Sequence, residues 1–420
     1  MKFTEFPLAK SLLSALNDIG FNETTPIQEK ALPILFGERD LIATSQTGSG
    51  KTAAYLIPML NHLIETPNKR GLILVPTREL ATQVFDFMQQ LLKYEKSMTS
   101  IRIVGGVDIR RQFRQLQKKQ RIIVATPGRL IDHLKRNTVQ LNNIEHLVLD
   151  EGDRMIDMGF LPQLKQIIQY LPKKRQTSFF TATLDKKVSE LANSYLQSPE
   201  KVSIGQSSRP VKSIRQKVLQ VRVEEKENRL LDELNQRSGA VIVFFRTQRQ
   251  THKAFGYLKQ YGFHVDQIHG GRTQGQRNKA ISDFKSGKVR ILCATDVASR
   301  GIDAPHVEHV INMDIPHNHD DYIHRIGRTA RNGRQGEALS FVAPNEVRTW
   351  NSLVKKYELS GVDLPESPRK ARSKKTKNFS NAKPNSRSSS KPTNSRSNSK
   401  PHSKSNGRPQ RSKKTKRRSF

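Results

Sequence analysis

Cysteine is almost absent. The single Cys293 in 420 residues rules out an intramolecular disulfide framework, and no run of Cys and His has the spacing of a zinc site. Cys293 lies in the apolar run 289–294, which predicts a buried thiol rather than a nucleophile. Long apolar stretches are missing too. There is no run of about 18 apolar residues, and Met1-Lys2-Phe3-Thr4-Glu5-Phe6 lacks the apolar core of a signal peptide, so a cytoplasmic protein is expected. Acidic residues are scarce, 38 Asp and Glu against 73 Lys and Arg. Of the net charge of +35, 19 positive charges fall in residues 367–420 and +16 on residues 1–366. A basic body with a more basic tail favours a polyanion, either nucleic acid or an acidic membrane surface. The tail has no Asp or Glu, and its only aromatics are Phe379 and Phe420. It cannot bury enough apolar surface to fold and is predicted to be disordered.

What is present is a regular alternation of short apolar runs with longer helical segments. Leu8, Leu12, Leu13 and Leu16 predict a first helix, and Pro26 a turn into a second helix from Gln28. Apolar runs follow at 41–44, 71–75, 101–104, 121–125, 146–149 and 177–180. The pattern lapses at 205–213 and restarts with runs at 218–223, 240–245, 264–268, 289–293, 307–313 and 339–342. This predicts an α/β fold of mostly parallel sheets covered by helices. The expected division is a first domain at 1–206, a linker at 207–213, a second domain at 214–365 and the basic tail at 366–420.

Several strand ends carry chemistry. Ser45-Gln46-Thr47-Gly48-Ser49-Gly50-Lys51-Thr52 follows the first run and precedes a helical segment, the setting of a phosphate-binding loop. Its glycines let the backbone turn N–H groups inward, while Lys51 brings a point charge and Thr52 a hydroxyl for Mg²⁺. Ser45 stands where the strict pattern has Gly, so a glycine-rich turn into a helix also fits. Asp150-Glu151-Gly152-Asp153 follows the run 146–149. Asp150 would hold Mg²⁺ and Glu151 polarise an attacking water, or the acids would simply cap the next helix. Arg78, the Gly105-Gly106 pair, and Thr126 with Arg129 follow further runs. They offer guanidinium, hydroxyl and N–H groups to a phosphodiester backbone, although each also suits an ordinary turn. Late in the chain His324 stands beside Arg325, Arg328 and Arg331. These read as arginines reaching across a cleft to a γ-phosphate, against a solvated basic helix face.

In this order the motifs resemble the DEAD-box family of ATP-dependent RNA helicases, in superfamily two, over about residues 1–360. The stretch from Gly20-Phe21 to Gln28 is similar to the family's Q motif, which implies that Gln28 hydrogen-bonds adenine and Phe21 stacks on it. Residues 45–52 match motif I, 76–81 and 126–129 the RNA-contacting motifs Ia and Ib, and 150–153 motif II. Thr181-Ala182-Thr183 stands at the coupling motif, which with Asp153 links hydrolysis to RNA. Residues 243–247 resemble motif IV, Gln274 and Arg277 the RNA-contacting Gln-x-x-Arg element, 294–303 motif V, and 324–331 motif VI. Thr295 is thereby implied in RNA contact and Asp303 in nucleotide contact.

The resemblance implies two tandem RecA-like domains that close on ATP, Mg²⁺ and RNA, with no membrane partner. Glu151 would be the water-activating base, and His324, Arg328 and Arg331 would serve the transferring phosphoryl group. ATP hydrolysis would locally unwind short duplexes or remodel RNA–protein complexes, in ribosome assembly or RNA turnover, with ribosomal precursor particles or RNA-decay proteins as partners. An RNA annealer and a DNA-translocating helicase are the rival readings; Glu151 argues for turnover, and the Q motif and motif V for RNA. Four positions depart from the family pattern: Ser45, Gly152 for Ala, Thr181 for Ser, and Ala330 for Gly. Gly152 would loosen its turn, and Ala330 requires a negative φ.

The tail generates its own prediction. Each phosphate neutralised on a single strand steepens the log–log salt dependence of binding by about 0.7. Deleting residues 367–420 should therefore raise the RNA concentration needed for half-maximal ATPase activity and flatten the salt slope, with turnover at saturating RNA unchanged. RNA titrations at several salt concentrations check this; identical slopes would refute the tether.

Overall fold

Runs of Val, Ile, Leu and Phe without a polar face are stable as strands only where helices cover both sides of a sheet. The protein builds two such sheets. Its structure, a computed structural model, describes residues 1–46, 48–204, 213–299, 304, 306–330, 334–359 and 361–362. The first sheet contains β1 (Leu41–Ser45), β2 (Arg70–Leu74), β3 (Ser100–Ile103), β4 (Ile122–Ala125), β5 (Ile144–Leu149), β6 (Gln176–Thr181) and β7 (Glu200–Ile204), in the order β3-β4-β2-β5-β6-β1-β7. The second contains β8 (Ile214–Gln220), β9 (Ala240–Phe245), β10 (Val265–Ile268), β11 (Ile291–Thr295), β12 (Val307–Asn312) and β13 (Gly336–Val342), in the order β10-β11-β9-β12-β13-β8. Every pairing within both sheets is parallel. These are two tandem RecA-like domains.

The apolar residues of each sheet divide between its two faces. Ala43, Ile73, Val124, Val148 and Phe180 enter one core and Ile42, Leu72, Ile123, Leu147 and Phe179 the other. Parallel strands put all their C-terminal ends on one edge, and that edge is where ligands of such sheets bind. Strand order then sorts the chemistry: the loops after β5, β6 and β1 are neighbours, and so are those after β3, β4 and β2.

Three local expectations need correction. The second helix starts at Pro26, not Gln28, because Pro lacks the N–H that a first helical position leaves unused. β7 was not anticipated: it is a sheet edge in which only Val202 is buried, so its sequence, Glu-Lys-Val-Ser-Ile, carries no apolar run. β8 lies at 214–220 rather than 218–223. Val221 still donates its N–H to the Val342 carbonyl, but Val223 begins a short 3₁₀ turn and is exposed. Cys293 is fully buried, and burial pushes its thiol pKa up, as expected of an inert side chain. Among the described residues no helix is long and apolar enough to cross a membrane. The tail, residues 366–420, lies outside the described residues.

Asp40, just before β1, joins three parts of the first domain. Its buried carboxylate accepts the Thr177 N–H at 2.7 Å, entering β6, and the Gln197 N–H at 2.6 Å, after the helix Lys186–Tyr195. Asp40→Ala would leave both donors without an acceptor, at about 1–3 kcal/mol each. A fall of about 2–4 kcal/mol in the stability of the first domain is expected, read from its urea-unfolding transition.

Candidate nucleotide and nucleic-acid site

β1 is wholly buried and stops at Ser45, where the chain turns through Gly48 (φ 81°) and Gly50 (φ 94°) into the helix Lys51–Glu65. Left-handed φ values at two positions explain the glycines. Lys51 is buried, and burial lowers its pKa. Its Nζ donates to the loop's own Ser45 and Gln46 carbonyls at 2.6 and 2.7 Å. The Ser45 and Ser49 hydroxyls lie 2.8 Å apart. Gln28 docks on this loop. Its Oε1 accepts the Thr25 N–H at 2.9 Å and its Nε2 donates to the Gly50 carbonyl at 3.1 Å. A Cβ at residue 50 would lie 2.5 Å from that Nε2, a second reason for glycine. Phe21 is half-buried between Phe3 and Phe87, at centroid distances of 6.3 and 5.6 Å. Thr47 lies outside the described residues.

After β5, Asp150 is buried against the loop. Tyr55 donates its hydroxyl to Asp150 Oδ2 at 2.9 Å, and the Glu151 N–H bonds Oδ1 at 2.8 Å. Burial first, and then the Glu151 carboxylate, push Asp150 up to about 6 despite Lys51. Glu151 holds a left-handed backbone (φ 51°, ψ 51°), which is costly for a non-glycine residue and typical of functional positions. Its buried Oε2 has no hydrogen-bond partner and lies 3.5 Å from Arg154 Nε. Asp153 Oδ2 accepts from the Ala182 N–H (3.1 Å), the Thr183 N–H (3.0 Å) and the Thr183 hydroxyl (3.1 Å). The Thr181 hydroxyl donates to the Thr183 carbonyl at 2.7 Å, so the three implied coupling residues form one knot. Gly152 is not a loosened turn. A Cβ there would meet Phe179 Cζ at 2.1 Å, so a buried ring occupies the space of the missing methyl.

The second sheet brings His324, Arg325 and Arg328 in, all buried, around the end of the helix His319–Ile326. Arg325 grips Asp296 with Nε and Nη2 at 2.5 and 2.7 Å, donates to the Asp314 carbonyl at 2.6 Å, and sits over the Phe244 ring. It is a structural arginine. Arg328 Nε donates to the His324 carbonyl at 3.2 Å. A small cavity is lined by Arg154 of the first domain together with Phe244, Asp296, Ser299, His324 and Arg328 of the second. Arg154 is 1% exposed, and its Nη1 and Nη2 have no hydrogen-bond partner. Arg331 and Asp303 lie outside the described residues. Ala330 contradicts expectation: its φ is +56°, not negative. The Thr329 hydroxyl is pinned to the Val307 and Glu308 carbonyls, at 2.7 and 2.9 Å, and the chain leaves this anchor through a left-handed residue, which costs Ala about 1–2 kcal/mol.

On the other half of the first sheet, Arg78 lies across Gly105 and Gly106, where added Cβ atoms would fall 2.9 and 1.8 Å from its Nη atoms. Burial, then Arg277, lowers the Arg78 pKa. Arg78 Nη1 donates to Gln274 Oε1 at 3.3 Å, and Gln274 Nε2 donates to Glu79 Oε1 at 3.0 Å. Arg277 pairs with the same Glu79 oxygen at 2.9 Å. Arg129 donates to the Val107 carbonyl at 2.9 Å, near Thr126, which precedes the helix Pro127–Lys135. Thr295 ends β11 and is buried. Arg78, the glycines, Gln274 and Arg277 thus meet at one seam. The sequence pattern does not single out Tyr55, Glu79, Arg154 or Phe179; the adjacency of Glu79 to Arg78 and of Arg154 to 150–153 was a signal, whereas Tyr55 and Phe179 meet partners from elsewhere in the chain.

Residues 25–191 match the family model described as DEAD/DEAH box helicase, and residues 225–333 that of the helicase conserved C-terminal domain. The chain is 41% identical over 350 residues to the ATP-dependent RNA helicase CshA of Listeria monocytogenes, covering 82% of this chain and 67% of that protein. It resembles the structure of Mss116p bound to ssRNA and AMP-PNP with a TM-score of 0.79 at 30% identity, covering 85% of this chain and 77% of that one. S. cerevisiae Dbp5 bound to RNA and ADP BeF3 matches with a TM-score of 0.77 at 32% identity, covering 85% and 93%.

The Gly152–Phe179 contact is testable. Gly152→Ala should destabilise the first domain by about 1–3 kcal/mol through overpacking, and adding Phe179→Leu should recover most of that loss. Urea unfolding of the single and double variants checks the pair; additive losses would refute the contact.

Proposed function

Since the chain belongs to the DEAD-box family of ATP-dependent RNA helicases, we propose how its own residues divide the work of RNA-dependent ATP hydrolysis. One observation carries the assignment: Glu151, through Arg154, reaches a cavity that both domains line. Adenine would be read by Gln28, whose amide keeps a second N–H beyond its bond to the loop, with Phe21 stacking. The N–H groups of residues 45–50, Ser45, Gln46, Thr47, Gly48, Ser49 and Gly50, would cradle the phosphates, and Lys51 would exchange its two loop carbonyls for phosphate oxygens. Asp303 would complete the nucleotide contacts.

Asp150 and Thr52 would hold Mg²⁺. The residues fit a divalent cation, because burial and the adjacent Glu151 carboxylate press the buried Asp150 toward protonation, a charge conflict that a cation would relieve. When bound, the ion would neutralise charge on the phosphate oxygens. Glu151 would accept the proton of the water that attacks the γ-phosphorus, leaving ADP and phosphate. Arg328 and Arg331 would stabilise the phosphoryl charge beside His324, while Arg154 would aim Glu151 once the second domain is docked. Asp153, Thr181 and Thr183 would couple that event to RNA. The backbone and 2′-OH groups of RNA would lie along Arg78, Gly105, Gly106, Thr126, Arg129, Gln274, Arg277 and Thr295, which favours RNA without sequence preference. The domain limits 1–206 and 214–365, joined by 207–213, follow from the sequence pattern.

The resulting activity would open short duplexes or remodel RNA–protein complexes. A cytoplasmic role in ribosome assembly or RNA turnover, on precursor particles or with RNA-decay proteins, suits a non-specific RNA grip. Glu151→Gln should keep its affinity for ATP and RNA and lose about 10²–10⁴ in turnover. Arg154→Lys should lower RNA-stimulated turnover more than RNA affinity. Steady-state ATPase assays with RNA and with single-stranded DNA, paired with unwinding of a short duplex, test these assignments. Near-normal turnover by Glu151→Gln would remove it as the base, and equal stimulation by both nucleic acids would remove the RNA preference.

A further inference from the structure

The nucleotide site uses one end of the helix Lys51–Glu65 and of β5. At their other ends lies a cluster that the ATP chemistry does not involve: His62 in the helix's last turn, and Glu145 with His146 at the start of β5. His62 lies eleven helical steps beyond Lys51, about 16 Å of rise. One ligand atom from each of the three residues lies within 4.8 Å of the other two. We propose that His62, Glu145 and His146 form a zinc-type site for a divalent transition metal.

Hydrogen bonding fixes His146 in the ligating tautomer. Gln176 Nε2 donates to the Leu35 and Arg39 carbonyls at 2.9 and 3.1 Å, which turns its Oε1 toward His146 Nδ1 at 2.8 Å. An amide oxygen can only accept, so Nδ1 carries the proton and Nε2 keeps a bare lone pair. That Nε2 is buried and has no hydrogen-bond partner, and His146 as a whole is 4% exposed. A buried acceptor left without a donor needs a reason. An imidazole whose other N–H is held by a side-chain oxygen is the usual orientation of a metal-binding histidine. Burial also keeps this ring neutral at physiological pH, its pKa lowered to about 4.

The neighbours supply the rest of the shell. The His62 and His146 rings stand edge to face, 4.6 Å between centroids. His62 Nε2 and Glu145 Oε2 share a hydrogen bond of 3.1 Å, so an ion with bonds of about 2.0–2.2 Å could replace the shared proton with only a small separation of the two atoms. His62 Nδ1 lies 3.6 Å from Glu38 Oε1, so the other nitrogen of this ring has a carboxylate near it where His146 has an amide oxygen. Lys69 Nζ holds Glu145 Oε1 at 3.0 Å and leaves Oε2 to the cluster. Two imidazoles and one carboxylate are a nitrogen and oxygen set for Zn²⁺, with a fourth position for water. No short sequence pattern announces it, because His62 and Glu145 are 83 positions apart. A bound ion would clamp the far end of the phosphate-loop helix to β5.

Co²⁺ titration of the full chain, stripped of metal by a chelator, tests the site. One equivalent should give the intense visible bands of tetrahedral cobalt, Zn²⁺ should displace it, and Zn²⁺ should raise the thermal unfolding temperature. His62→Gln and Glu145→Gln change half-buried positions outside the ATP and RNA machinery. They should retain RNA-stimulated ATPase activity, as a check of folding, lose the visible bands, and bind Zn²⁺ at least tenfold more weakly. The chain has 12 histidines, so stoichiometry alone does not decide. Weak six-coordinate cobalt spectra after several equivalents, or tetrahedral bands unchanged in both variants, would overturn the proposal.

Discussion

The first domain depends on how the buried Asp153 carboxylate is satisfied. One of its oxygens receives two backbone N–H groups and a hydroxyl from residues 182–183, the other the Arg154 N–H. Four donors on one carboxylate fix the turn after β5 relative to the turn after β6, and thereby the strained backbone of Glu151 and the direction of Arg154. A movement on either side would break charge-assisted bonds to a buried carboxylate. The acid pair, the threonine knot and the arginine facing the second domain behave as one rigid piece.

Charge at the domain boundary follows a related logic. Arg325 is fully used by Asp296, the Asp314 carbonyl and the Phe244 ring, and so builds the wall of the cavity. Arg154 enters the same cavity from the first domain, with Glu151 beside its Nε. Of these two guanidinium groups lining one cavity, one is saturated by hydrogen bonds and the other is not. At the other seam, Glu79 sets Gln274 and Arg277 beside Arg78, so a single carboxylate positions groups from both domains.

Much of this was legible in the sequence, for a physical reason. Phosphate loops, acid pairs and strand-end arginines act through residues close together in the chain, and buried parallel strands advertise themselves as apolar runs. What escaped notice acts across the chain. Tyr55 meets Asp150, Phe179 fills the space above Gly152, and His62 meets Glu145 and His146 only once a helix is laid on the sheet. β7 was invisible because an edge strand with one buried residue has no apolar run. Ala330 departs from its expected negative φ because it follows the anchor at Thr329, which outweighs the residue's own preference.

β8 is the first strand of the second domain, yet among the described residues its one partner in the sheet is β13, the last. During synthesis β8 leaves the ribosome long before residues 336–342 exist, so it must wait unpaired while β9 to β12 assemble beside it. The first domain has no such delay at its close, since β7 emerges soon after β6 and joins a β1 that is already present. The nascent chain therefore passes through a stage in which the ATP-binding half is complete and the arginine-bearing half is open along one edge. In that interval β12 and β8 both expose unpaired backbone, which makes this the stage at which a chaperone, or another nascent copy, finds an edge to hold.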